Sequence, residues 1–164
     1  MITVERAEQL RAAGVVWRPL SGDRFTFRQS ALTGEVFTIS EMTVEAHEFP
    51  TGTVLGFNGT TEWALDSVAQ EDALWLPRED QLRVLLGGTF RALERADGGY
   101  AVLVELPGGG EQRFAAGSAA DAYGAALLAL VAAAVGDQPD DQPDDQVGAR
   151  LDDGVGDGIR SSHT

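Results

Sequence analysis

The sequence contains no cysteine, which excludes disulfides, thiol nucleophiles, thiolate zinc sites and cysteine-ligated iron–sulfur clusters. The fold must stand on its hydrophobic core. It contains no lysine either, all twelve basic residues being arginine, so a Walker-type loop, whose lysine reaches the nucleotide phosphates, cannot be built. Histidine is limited to His47 and His163. A serine–histidine triad would have to run through His47, and no G-x-S-x-G segment supplies its nucleophile. Long apolar runs are missing as well. The longest, residues 125–135, has 11 residues against about 20 for a bilayer span, and reads as a buried helix. The segment Met1 to Arg6 has no basic stretch leading into an apolar one, so a secretory signal is not expected and the reading is of a cytoplasmic protein. Positive charge is scarce: 12 basic against 26 acidic side chains leave a net charge of −14 over 164 residues. Such a chain repels phosphate backbones, so nucleic acid is not expected as a partner.

What is present divides into two parts. Residues 1–136 have the apolar periodicity of one folded domain, itself acidic at −8. After Gly136 the composition changes: Asp-Gln-Pro-Asp occurs at 137–140 and again at 141–144, and a Gly/Asp-rich stretch follows to Thr164. Eight aspartates against Arg150 and Arg160, with few large apolar side chains, cannot offset an ordering entropy of roughly 1–2 kcal/mol per residue. Residues 137–164 therefore read as a disordered acidic Asp/Gln/Pro/Gly-rich tail. Their aspartate spacing does not follow a calcium-loop pattern.

The expected fold class is α+β, with antiparallel sheets packed on helices. Thr3 is a good N-cap for a helix to Ala13, with Val4, Ala7 and Leu10 on one stripe. Val15–Trp17 reads as a short strand, Ser21-Gly22-Asp23 as a turn, and Arg24–Arg28 as a strand whose two phenylalanines point one way. Further strands are expected at Glu35–Ile39, Thr53–Phe57 and less clearly Met42–Ala46. The Asn58-Gly59 turn signal leads into a short helix from Thr60/Thr61 through Val68. Leu74–Leu76 is a strand, and Pro77 opens a helix with stripe Leu82, Leu85, Leu86 that ends at Gly87-Gly88. A three-strand meander follows (Phe90–Arg95, Tyr100–Leu106, Glu111–Ala115), and then a helix capped by Ser118 with Asp121 three residues on. Beyond Ala125 that helix is apolar all round, which calls for burial by its own domain or by a second copy; a homodimer is one reading. The helix–meander–helix order is shared with double-stranded RNA-binding domains, yet Gly117-Ser118-Ala119-Ala120-Asp121 has no basic side chain for phosphate.

Chemistry-bearing residues are few. His47 with Glu45 on one strand face, and with Asp66, forms the only weak candidate for a metal or a general base; no cofactor is expected. Glu62 and Asp66, four apart on a helix, share a face and repel, which suits a cation or a basic partner. The segment with most to offer a protein partner is 56–82: Asn58, Thr60, Thr61, Glu62, Trp63 and Asp66, then Trp75, Arg78, Glu79 and Asp80. Trp and Arg are enriched among interface hot spots. The alternative account of the same residues makes the tryptophans core and the polar groups caps.

Those residues also carry a resemblance. Glu35-Val36-Phe37, Phe49-Pro50, the run Phe57-Asn58-Gly59-Thr60-Thr61-Glu62-Trp63-Ala64-Leu65-Asp66-Ser67-Val68 and the run from Trp75 through Arg83 resemble a family of small actinobacterial proteins labelled pilus assembly protein CpaE. The likeness covers nearly all of 1–136, including Ala122–Leu128. It implies a link to pilus or secretion-system assembly. It does not bring the CpaE ATPase, whose phosphate-binding lysine has no counterpart here. The expectation is a non-enzymatic cytoplasmic protein-interaction domain. The alternatives are a hydrolase or metal-dependent enzyme built on His47, and an acidic inhibitor or mimic that binds a basic partner.

Overall fold

A computed structural model describes residues 1–28, 34–40, 44–57 and 67–136. Helix α1 (Val4–Ala12) begins where the Thr3 hydroxyl accepts the Arg6 N–H at 3.3 Å, has Glu5 in its first turn and Arg11 in its last, and buries Ala7 and Leu10. The chain leaves it through Gly14 at φ +88°, a left-handed conformation that favours glycine. Val15–Trp17, expected as a strand, forms none. The Val15 N–H is still held by the Leu10 carbonyl at 3.0 Å, and Trp17 turns inward while Val16 is 76% exposed. Packing of one large ring overrides local β propensity here.

Nine strands among the described residues form three antiparallel three-stranded sheets, so with three α-helices the chain is α+β. In the first sheet, β1 (Arg24–Phe27) lies between β2 (Phe37–Thr38) and β6 (Ala73–Trp75), with Phe25 opposite Phe37 on one side and Trp75 on the other. The period-two reading of β1 holds: Phe25 and Phe27 are both buried and meet edge-on with centroids 5.7 Å apart. The second sheet joins β3 (Val44–Phe49), β4 (Gly52–Phe57) and β5 (Ser67–Ala69). Pro50-Thr51 turns the β3–β4 hairpin, in which Phe49 faces Gly52. Val68, expected at the end of a helix, instead pairs with Leu55 inside β5.

The third sheet is the expected meander of β7 (Phe90–Ala96), β8 (Gly99–Leu106) and β9 (Gly110–Ala116). Asp97-Gly98 turns β7 into β8 with Gly98 at φ +78°. A Cβ on the next residue, Gly99, would lie 2.1 Å from the Ala116 carbonyl oxygen, so only glycine lets β8 meet β9 there. Helix α3 (Ala119–Gly136) packs on β8 and β9, and α2 (Glu79–Leu86) packs against α3. Pro77 lies two residues ahead of α2, with Arg78 between them at the N-cap.

Two cores result. The first gathers α1, α2, α3, β8 and the side chains of Leu74 and Leu76; the second holds Trp17, Phe25, Phe27, Ile39, Val44, Leu55 and Ala73. Strand β6 is the wall between them. Leu74 faces the first core while Ala73 and Trp75 face the second, which explains the uninterrupted apolar run at 73–76. Each fully buried leucine among Leu74, Leu76, Leu82 and Leu86 contributes roughly 1.5–3 kcal/mol by transfer from water.

Candidate functional site

The ten residues anticipated as a contact patch fall into two groups. Asn58, Thr60, Thr61, Glu62, Trp63 and Asp66 lie outside the described residues. Trp75, Arg78, Glu79 and Asp80 are described, at the junction of β6 and α2. The Trp75 ring lies parallel to that of Trp17, with centroids 6.4 Å apart and planes 3° apart, and packs on the second core. Its indole N–H is buried without an acceptor.

Arg78 is committed to the fold. Its Nη1 donates to the Gly22 carbonyl at 2.7 Å and lies 3.5 Å from Asp23 Oδ1, while Nε and Nη2 form a fork onto Asp80 at 3.1 and 3.2 Å. The hydrogen bond from Arg78 holds the Asp80 carboxyl below its usual range, and the same bond raises the Arg78 guanidinium above its own. Glu79 and Asp80 sit exposed in the first turn of α2, where acidic side chains complement the helix dipole.

The centre of this junction is a residue read only as the end of a turn. Asp23 is 2% exposed. Its Oδ2 accepts the Trp17 indole N–H at 2.9 Å and the Leu20 backbone N–H at 3.0 Å, and its Oδ1 accepts the Gln81 side-chain amide and faces Arg78. Four donors converge on one carboxylate, so its lone pairs are occupied and no room is left to serve as a base. Asp23 pins the Trp17–Asp23 loop to the start of α2. The one sequence signal for it is the Ser-Gly-Asp turn, which says nothing of donors more than 50 residues away.

For the metal alternative, Glu45 and His47 lie two residues apart in β3, in register with Gly56 and Val54. Asp66 lies outside the described residues. Among the described residues no group of three or more histidine, aspartate or glutamate side chains comes together to hold a metal.

The last helix supplies the surface that stands out. Its start is anchored: Ser118 Oγ accepts the Asp121 N–H at 3.1 Å and donates to Asp121 Oδ2 at 2.8 Å, while Asp121 Oδ1 accepts the Thr3 N–H and hydroxyl, each at 2.9 Å. Burial pushes the Asp121 carboxyl up, and the bonds from Thr3 and Ser118 more than offset this and hold it below its usual value. Through Leu127 the helix is buried in the first core, where the Tyr123 ring stacks on Phe90 and burial raises its phenol, and Leu128, Ala129, Leu130 and Val131 still pack against that core. Gly124 lies against Arg6 and Ile2, whose side chains a Cβ would meet at 2.7 and 3.3 Å, so α1 and α3 approach closely. After Leu127 nothing is fully buried. Leu128, Leu130 and Val131 are half-buried, Ala132 and Ala134 are exposed and Val135 is 67% exposed. From Ala122 to Gly136 the helix carries no charged side chain. It is long and apolar enough to cross a membrane by length and composition, but its first half is core.

No protein-family model, curated protein or solved structure matches the chain.

Proposed function

We propose that this chain is a non-enzymatic protein-interaction domain of the cytoplasm, and that its partner docks on the C-terminal half of α3. The observation that carries the reading is the contrast between a chain of net charge −14 and a helix end with no charge, on which Val135 is 67% exposed. A surface of this kind is recognised by burial of apolar area, so the partner presents an uncharged helix or groove. The resemblance to the CpaE-labelled proteins is what suggests a role in assembly or regulation of a pilus or secretion system. Of the anticipated contacts, Arg78 is engaged within the domain by Gly22 and Asp80, and Trp75 packs on the second core.

The test replaces Ala132 and Val135 by arginine. Cations near a helix C-terminus suit its dipole, so α3 should persist. The full chain and the double variant, matched by circular dichroism, are used as bait in native extract and examined in parallel by sedimentation. Capture of one partner, or self-association, that is lost only in Ala132→Arg/Val135→Arg supports the assignment. Equal capture by both proteins, or a monomer that retains nothing, overturns it.

A further inference from the structure

A cleft of about 580 Å³ opens between α1, the Val15–Trp17 segment, the β3–β4 hairpin and the turn of 3-10 helix, Gln70–Asp72, that leads into β6. Small-molecule sites fall in the range of roughly 300–1,000 Å³. Its interior is apolar, lined by Leu10, Val15, Val54 and Leu74 together with Trp17 and Trp75. Trp17 and Trp75, whose planes are parallel within 3°, make one wall of the cleft aromatic, and an aromatic ring system packs well against such a wall.

The charged groups at this cleft are Arg11 and Glu71, both exposed. Arg11, in the last turn of α1, makes no ion pair with a described residue. Its guanidinium offers a planar fork of donors suited to a carboxylate or sulfonate. The nearby amide of Gln70 is occupied, its Nε2 donating to the Trp17 carbonyl at 2.7 Å. In so acidic a chain an anion needs a local cation to approach, and Arg11 supplies it while Glu71 opposes it.

We infer that this cleft binds a small planar aromatic anion, with its rings against the Trp17–Trp75 wall and its acidic group at Arg11. The site is separate from the α3 surface and does not depend on it. The test titrates the full chain with 8-anilinonaphthalene-1-sulfonate, an aromatic anion of suitable shape, following dye emission and the matching fall in tryptophan emission. Saturable one-to-one binding is expected. Arg11→Glu should weaken it at least tenfold and Arg11→Gln by less, while Glu71→Gln tightens it several-fold. Both positions are exposed, and circular dichroism checks that each variant is folded. Ala132→Arg/Val135→Arg should leave it unchanged. Absence of saturation, indifference to both Arg11 variants, or loss of dye binding in the α3 variant each overturns the assignment, the last by placing the dye on the helix.

Discussion

Asp23 and Thr26 are each 2% exposed, and their hydrogen bonding differs completely. The Asp23 carboxylate is met by donors from Trp17, Leu20, Gln81 and Arg78, whereas the Thr26 hydroxyl, in the central strand of its sheet, has no partner. A satisfied buried polar group stabilises the arrangement around it, and an unsatisfied one costs about 1–3 kcal/mol. The two substitutions therefore move stability in opposite directions. Thr26→Val keeps the branched shape and removes the orphaned hydroxyl, so it should raise the melting temperature by about 2–4 °C. Asp23→Ala leaves the Trp17 indole N–H, the Leu20 backbone N–H and the Gln81 amide without this acceptor and removes one of the anionic neighbours of Arg78, which keeps Gly22 and Asp80. Breaking a buried pair costs about 3–5 kcal/mol, and because the Arg78 side chain is 34% exposed, water recovers part of this and the lower end applies. Thermal and denaturant unfolding of both variants decides the matter; a neutral Asp23→Ala would mean that the pin contributes nothing. Neither residue announces itself in the sequence. Thr26 is the polar member of an alternating strand and Asp23 the end of a turn, and their burial is fixed by β6 and α2, some 50 positions along the chain.

Helices with local start signals were legible, because a cap and an apolar stripe lie within one stretch of chain. Thr3 caps α1 and Ser118 precedes α3, as their spacing requires. In the β-rich half, β1 and the strands within Glu35–Ile39, Thr53–Phe57 and Leu74–Leu76 were legible from their apolar and β-branched residues, and the meander from the turns that fix its register. Val15–Trp17 and Val68 misled because pairing is decided by neighbours distant in sequence. The candidate site shows the same split. The α2 helix was readable from Glu79, Asp80 and its leucines, but not that Trp75 would stack on Trp17 or that Arg78 would hold Gly22. The α1–α3 joint makes a pH prediction. Since the Asp121 carboxyl titrates below its ordinary value in the folded protein, it adds stability that is full above about pH 3.9 and fades as pH falls through its lowered folded value. Asp121→Asn should be less stable than the parent near neutrality, and the gap should narrow below about pH 4. A gap that stays constant across the acid range would remove Asp121 from the pH response.

At the scale of the whole molecule, two cores share one three-residue wall. Strand β6 turns Leu74 to the first core and Ala73 and Trp75 to the second, and the Asp23 pin ties the loop ahead of β1 to α2 on the other side. Neither core keeps its boundary if β6 leaves, so the two should unfold as one unit despite their different composition. The chain has three tryptophans. In a Trp63→Phe background, emission reports Trp17 and Trp75 and hence the second core, while helical circular dichroism is dominated by α3 in the first. Urea unfolding followed by both signals should give superimposed curves. Leu74→Ala, which opens a cavity only on the first-core side, should cost about 2–5 kcal/mol and shift both curves equally. If the dichroism curve moved and the emission curve stayed, β6 would be a seam between two separable units, and the Asp23 pin would be holding together parts that fold on their own.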